Sequence, residues 1–324
     1  MKTDKGTPSR FRGHHFRELG IFISLVVICT VTGIINPIFF SFDNIVDLMR
    51  STSFTLIVAV GMTYVLLSAG LDLSVGSIIG LSGIVTGWAL VAEWPVFFAI
   101  LLGLGAGTLV GLLNGSIIVK FRIPPLIVTL GTMYIARGFV YVISQGRPFY
   151  PFPDSFKILG QGVILRIPIA VYLALIVSFI GHWILRNTVF GRSVFALGGN
   201  EEASRTAGIP TKRVKIGIYA ISAFAASITG ILMASRLSSS QAGAGTGWEM
   251  TVIASVIIGG TSLFGGSGSI LGTAIGAAIM TVLTNAMVLM RVSVFWQKIV
   301  VGVIIIVAVG VDTHRRNRLS GSRG

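Results

Sequence analysis

Ten apolar runs, separated by short polar or glycine-rich stretches, make up most of the chain. They lie at about 19–36, 52–70, 74–93, 95–118, 124–144, 167–186, 214–235, 248–262, 269–290 and 294–311. A hydrocarbon core about 30 Å thick takes roughly 20 helical residues to cross. Backbone groups in lipid must be satisfied within the segment, so runs of this length read as helices. The pattern predicts an all-α fold: a polytopic membrane bundle of about ten transmembrane helices. The run at 248–262 is the shortest. Two longer polar stretches stand between runs, at about 145–166 and 187–213.

Composition sharpens this reading. Mean hydropathy is +0.88. Charged residues are 11% of the chain, against roughly 25% in an ordinary soluble domain. The net charge of +14 would suggest nucleic acid in a soluble protein, but here the basic residues fall in tails and loops beside a lipid bilayer. Ten crossings gather Lys2, Lys5, Arg10, Arg12 and Arg17 on one side. Lys120, Arg122, Arg186, Arg192, Arg205, Lys212, Arg213, Lys215, Arg315, Arg316, Arg318 and Arg323 join them. Arg50, Arg147, Lys157, Arg166, Arg236, Arg291 and Lys298 fall on the other side. An excess of Lys and Arg marks cytoplasmic loops, so both termini are expected in the cytoplasm. Residues 1–18 and 312–324 read as basic cytoplasmic tails around a transmembrane domain at 19–311. The stretch 187–213 is then cytoplasmic and 145–166 external. No small-residue cleavage pattern follows the first run, which therefore reads as a retained helix rather than a signal peptide.

The residue types exclude most chemistry. Cys29 is the one cysteine, and His14, His15, His182 and His314 are scattered, so no metal site is expected. No HExxH, Walker A or GxSxG sequence occurs, and no catalytic residue is predicted.

Several segments carry mechanical rather than catalytic signals. Gly103, Gly107, Gly111 and Gly115 recur every fourth residue and form one stripe for close helix packing. In FGRSVFALGGNEEASRTAGIPTKRVK (190–215), Asn200 is placed as an N-cap and Glu201 and Glu202 suit the first turn. Ala203 and Arg205 follow, and Gly208 is placed at C′ with Pro210 beyond it. This predicts a two-turn helix outside the membrane at Glu201–Ala207, flanked by Gly198 and Gly199 as hinges. It is either a solvated connector or a docking element. GGTSLFGGSGS (259–269) is either a tight turn or an interrupted helix at a gate. Arg137, Asn114 and Asn285 lie within spans, as structural hydrogen-bonding groups or as pathway residues. Asp72, in SAGLDLSVGS (68–77), reads as a helix cap together with Ser74, as a gate or pathway residue, or as an ion-coupling acid.

AVGMTYVLLSAGLDLSVGS (59–77), ALGGNEEASRTAGI (196–209) and ASVIIGGTSLFGGSGSILGT (254–273) together resemble the membrane permeases of bacterial ABC sugar importers, in the ribose-type monosaccharide branch. The resemblance runs from about residue 19 to 311. It implies a multi-pass permease of the bacterial inner membrane, working as a pair with a second permease copy. It also implies a cytoplasmic ATP-binding-cassette ATPase and a periplasmic sugar-binding protein as partners. ATP and Mg would sit on the ATPase, with no cofactor on this chain, and the ATPase would dock on Asn200 to Gly208. The solute expected is a ribose-like pentose or a hexose. The alternatives are a permease for a non-sugar or sugar-like signalling solute and, in a different class, an ion-coupled secondary transporter.

Overall fold

The computed structural model describes residues 12–321, with side chains over 18–314. Lys2, Lys5, Arg10 and Arg323 lie outside the described residues, as do the side chains of Arg12, Arg17, Arg315, Arg316 and Arg318.

Each of the ten predicted runs holds a helix. In chain order these are α1 (Arg12–Ile35), α2 (Phe42–Leu67), α3 (Val75–Val91), α4 (Val96–Phe121) and α5 (Pro125–Ser144). The bundle continues with α7 (Ile169–Asn187), α10 (Thr211–Leu237), α11 (Trp248–Ile258), α12 (Ile270–Leu289) and α13 (Val294–Gly321). Eight are long and apolar enough to cross a bilayer, and α3 and α11 are shorter. Three further helices lie between them: α6 (Asp154–Gln161), α8 (Val189–Gly199) and α9 (Glu201–Thr206). The stretch around α6 also carries a small hairpin, β1 (Val163–Ile164) with β2 (Ile167–Pro168). In the first turn of α6, Lys157 Nζ lies 2.8 Å from Asp154 and holds that carboxyl below the usual carboxylate range.

Some boundaries differ from the sequence reading. Helix α2 starts ten residues early, at Phe42, where Ser41 Oγ accepts from Asn44 N. Asp47 and Arg50 look like loop charges but sit in its first turns. Arg50 donates to Gln161 O and Asp47 pairs with Arg236. At the chain ends, helix continues through 12–18 and 312–321, so the inner parts of both expected tails extend α1 and α13.

Hydrophobic packing places α2, α3 and α10 at the centre, with long stretches of fully buried side chains. Helices α4, α5 and α7 bury one face against them and turn Leu, Ile and Phe side chains outward. In water such faces would drive aggregation; in a bilayer they match the solvent.

The glycine stripe sets the closest contact. Gly103 lies against Ser82 and Thr86 of α3, and Gly107, Gly111 and Gly115 lie against α10. A Cβ on Gly115 would stand 2.6 Å from Ile216 Cα. Backbone cannot rotate aside as a side chain can, so the helices would have to separate. Gly115→Leu is expected to cost at least about 3 kcal/mol, at the upper end of core overpacking. Thermal unfolding of the detergent-solubilised protein checks this.

One end of the bundle is fixed by a group of contacts. Gly266 N, in the 259–269 loop, donates to Leu67 O at the end of α2, and Gly198 packs on the same carbonyl. Ser269 Oγ donates to Glu18 of α1, and Ser262 Oγ and Leu263 N donate to Asp312 of α13. Glu18 of α1 and Asp312 of α13 therefore lie at the end that carries α8 and α9. Gly198 is clamped rather than free to act as a hinge. Its missing Cβ is what lets α8 approach Leu67.

Candidate functional site

The segment 68–74 leaves the α9 end of the bundle and turns back inward before α3 begins. Its one carboxylate is fully buried. Asp72 Oδ1 accepts from Ser74 N at 3.0 Å and Ser74 Oγ at 2.5 Å, and Oδ2 accepts from Ser222 Oγ of α10 at 2.9 Å. Asn114 of α4 donates to Ser74 Oγ at 3.0 Å, leaving its own Oδ1 without a partner among the described residues. Asp72, rather than Ser74, provides the side-chain cap: Ser74 makes no capping bond, and its amide is capped by the carboxylate two residues before it. This satisfies part of an α3 N-terminus that neither water nor lipid can reach.

A second break enters from the opposite end. Residues 238–247 follow α10 as turns, with Gly245 and Gly247 at positive φ. Phe149, before α6, bridges to Ser240 near their start. Helix α11 then runs for 11 residues, about 16 Å at 1.5 Å per residue. Its far end joins the 259–269 loop at the level of Leu67. Its start therefore lies near mid-depth of a 30 Å core. Trp248, at that start, is consequently an interior residue rather than the interfacial anchor its place at the end of an apolar run suggests.

The two breaks meet. A Cβ on Gly76 would run into the Gly245 carbonyl and the Glu249 carboxylate. Arg137 of α5 fastens this junction. Its Nη1 donates to Ala242 O and Ala244 O, each at 2.9 Å, and its Nη2 donates to Gly76 O at 3.2 Å. The Glu249 carboxylate lies against Gly76 at the same junction. One guanidinium thus ties the first turn of α3 to the turn before α11, where the carbonyls of Ala242 and Ala244 lie outside any helix.

The sequence candidates therefore divide. Asp72, Ser74 and Asn114 come together, with Arg137 at the adjoining junction. Asn285 lies apart, in a mutual amide pair with Asn44 toward the opposite end, at 3.2 and 2.7 Å. Ser222, Glu249 and the 238–247 break carry the junction but are not among the sequence candidates. The signal available was SSSQAGAGTG, a small-residue interruption between two apolar runs. The loop 259–269, which drew attention for the same composition, is a turn at the bundle's end, with Gly260, Gly265, Gly266 and Gly268 at positive φ.

At the α9 end, Asn200 Oδ1 accepts from Ala203 N at 2.9 Å, and Gly208 has φ +82° just past the last turn. Of α9 only Ser204 is buried, so Glu201, Glu202, Ala203 and Arg205 face outward. Glu201 pairs with Lys215 of α10 at 2.6 Å, and Glu202 with Arg205 at 3.7 Å. Among the described residues no cluster of His, Cys, Asp and Glu could hold a metal ion.

Two helix breaks thus meet within the bundle, and an exposed capped helix stands at one end. Residues 44–309 match the family described as branched-chain amino acid transport system/permease component. The chain belongs to this permease family. Within it, the chain is 41% identical to the ribose import permease protein RbsC of Haemophilus influenzae, over 96% of this chain and 98% of that one. It is 37% identical to RbsC of Bacillus subtilis, over 97% and 99%. Identity to the L-arabinose ABC transporter permease protein AraH of Azospirillum brasilense is 35%, over 96% and 93%. No solved structure matches the chain.

Proposed function

We propose that this chain is the membrane-embedded subunit of an ATP-driven importer of a monosaccharide, a ribose-like pentose or a hexose, in a bacterial inner membrane. The observation that carries the reading is near-full-length similarity to ribose and arabinose permeases, in a chain whose helix breaks meet at a buried polar junction. A periplasmic binding protein delivers the sugar, a second permease copy completes the pathway, and an ATP-binding-cassette ATPase with its ATP and Mg works from the cytoplasm. The chain itself hydrolyses nothing.

The contacts suggest how force enters. The ATPase grips Asn200–Gly208 from the cytoplasm. Movement of α9 passes to α10 through Glu201–Lys215 and the short Gly208–Pro210 connection. Helix α10 carries Ser222, which holds Asp72 and the start of α3. Movement of α8 passes through Gly198 to Leu67 and the end of α2. A local displacement at α9 therefore tilts the elements that meet at the junction, biasing the bundle between outward-open and inward-open states.

Two measurements test this. Sugar uptake by proteoliposomes holding the complete importer is expected to need internal ATP and to ignore proton and sodium gradients. Gradient-driven uptake without ATP would instead identify an ion-coupled secondary transporter. Separately, Glu202→Lys combined with Ala203→Trp is expected to lower ATPase co-purification at least about tenfold, the scale of losing one interface anchor, at an unchanged melting temperature. Unchanged co-purification would remove α9 as the contact.

A further inference from the structure

The half-length of α11 has a geometric consequence. On the outer side of its first turn no helix fills the layer, and the gap is walled by α2, α10 and α12. A cavity of 350 Å³ occupies it, at the small end of the roughly 300–1,000 Å³ range of small-molecule sites. Its depth follows from helix rise: Thr281 lies 11 residues from the inner end of α12, about 16 Å.

The lining is mixed in a particular way. Phe54 and Trp248 supply aromatic surface. Thr281 Oγ1 donates to Ala277 O and Thr284 Oγ1 to Met280 O, each at 2.9 Å. Each hydroxyl thus uses its proton on its own helix and keeps lone pairs as acceptors. Thr251 adds a hydroxyl from the floor. Arg236 lies at the mouth, over the Phe54 ring at 5.8 Å from its centroid, and donates to Asp47 at 3.1 Å and to Ser51 Oγ at 3.3 Å. Acceptor hydroxyls, a guanidinium at the mouth and the Trp248 ring around one cavity suit a compact polyol. Its O–H groups meet the threonines and its C–H face meets an aromatic ring. An acyl chain would use the apolar walls but none of these polar groups.

The geometry points to a mid-depth saccharide subsite inside a single permease chain, between α2, α10, α11 and α12, for one monosaccharide ring. The inference rests on the importer reading above and adds a place to it: sugar pauses above the start of α11, beside the junction of the two breaks.

The experiment uses the complete importer in proteoliposomes, with D-ribose and L-arabinose as probes. Thr281→Val with Thr284→Val keeps side-chain shape and removes two acceptors. Uptake of the transported probe, and its binding to the purified full chain, are expected to fall about tenfold, the effect of losing two hydrogen bonds of ordinary strength. A second readout does not depend on that variant folding. In a Cys29→Ala background, Thr251→Cys is labelled from outside by a charged thiol reagent, and saturating sugar is expected to slow labelling by a similar factor. Labelling at the same rate with and without sugar, or a folded double variant that binds and imports like the parent, overturns the subsite and leaves the importer reading standing. Failure of the parent protein to import either sugar or any other monosaccharide overturns the importer reading itself. A lipid acyl chain found in the cavity by photocrosslinking from Thr251, and not displaced by sugar, also overturns the subsite.

Discussion

Asp72→Leu is expected to abolish accumulation of the folded protein, while Asp72→Asn keeps most of it. The leucine removes the acceptor for Ser74 N, Ser74 Oγ and Ser222 Oγ at a fully buried position. A buried polar group left without its partner costs about 1–3 kcal/mol, and three share this carboxylate. A combined loss of about 3–5 kcal/mol is a large part of a typical domain's stability. Asparagine preserves the shape. Its carbonyl oxygen replaces Oδ1 toward Ser74, and its amide faces Ser222, whose hydroxyl can rotate from donor to acceptor. The expected penalty is about 1 kcal/mol, with uptake retained. Size-exclusion profiles, thermal melts and uptake of both variants check this. Complete loss of transport in a normally assembled Asp72→Asn protein would show that the charge itself serves transport, as an ion-coupling or gating acid.

Arg137→Met is expected to separate assembly from transport. The methionine fills similar space but leaves the carbonyls of Ala242 and Ala244 without their donor and takes the second donor from Gly76 O. Hydrogen bonds from a charged group contribute about 1.5–3 kcal/mol each, although three to one guanidinium do not add independently. The loss acts on the two breaks and not on α9, so ATPase association is expected to persist while sugar uptake falls at least about tenfold, equivalent to 1.4 kcal/mol or more. Arg137→Lys is expected to be nearly as impaired. One ammonium is a compact point charge and cannot span acceptors on two segments as a planar fork does. Co-purification of the ATPase and uptake by the same preparations provide the two readouts. Normal uptake by Arg137→Met would reduce the residue to a passive filler.

Ten helices were legible because lipid imposes a simple demand: a long apolar run has to satisfy its own backbone. Helix α9 was legible from Asn200, the paired glutamates and Gly208, each answering a local requirement of a helix end. Helix α8 was not, because Gly191, Gly198 and Gly199 argue against a helix unless their neighbours are known. Leu67 O lies where a Cβ on Gly198 would go, a tertiary reason invisible in the local pattern. Similarly, Arg50 and Asp47 look like loop charges until Gln161 and Arg236 are brought beside them. The junction was half legible. Asp72, Ser74, Asn114 and Arg137 stand out as polar groups in apolar surroundings. Ser222 does not, since a serine in a helix carries no signal of its own, and 238–247 resembles an ordinary connection until α11 proves too short to span.

The fastening made by Arg137 joins residues more than a hundred positions apart. While the nascent chain leaves the ribosome, α5 is inserted long before Ala242 and Ala244 exist, and its guanidinium has only the Gly76 carbonyl from the half already made. Two of the three acceptors of that guanidinium are therefore missing while the first five helices insert. Both come only with the later half, so this junction closes after α10 has been made.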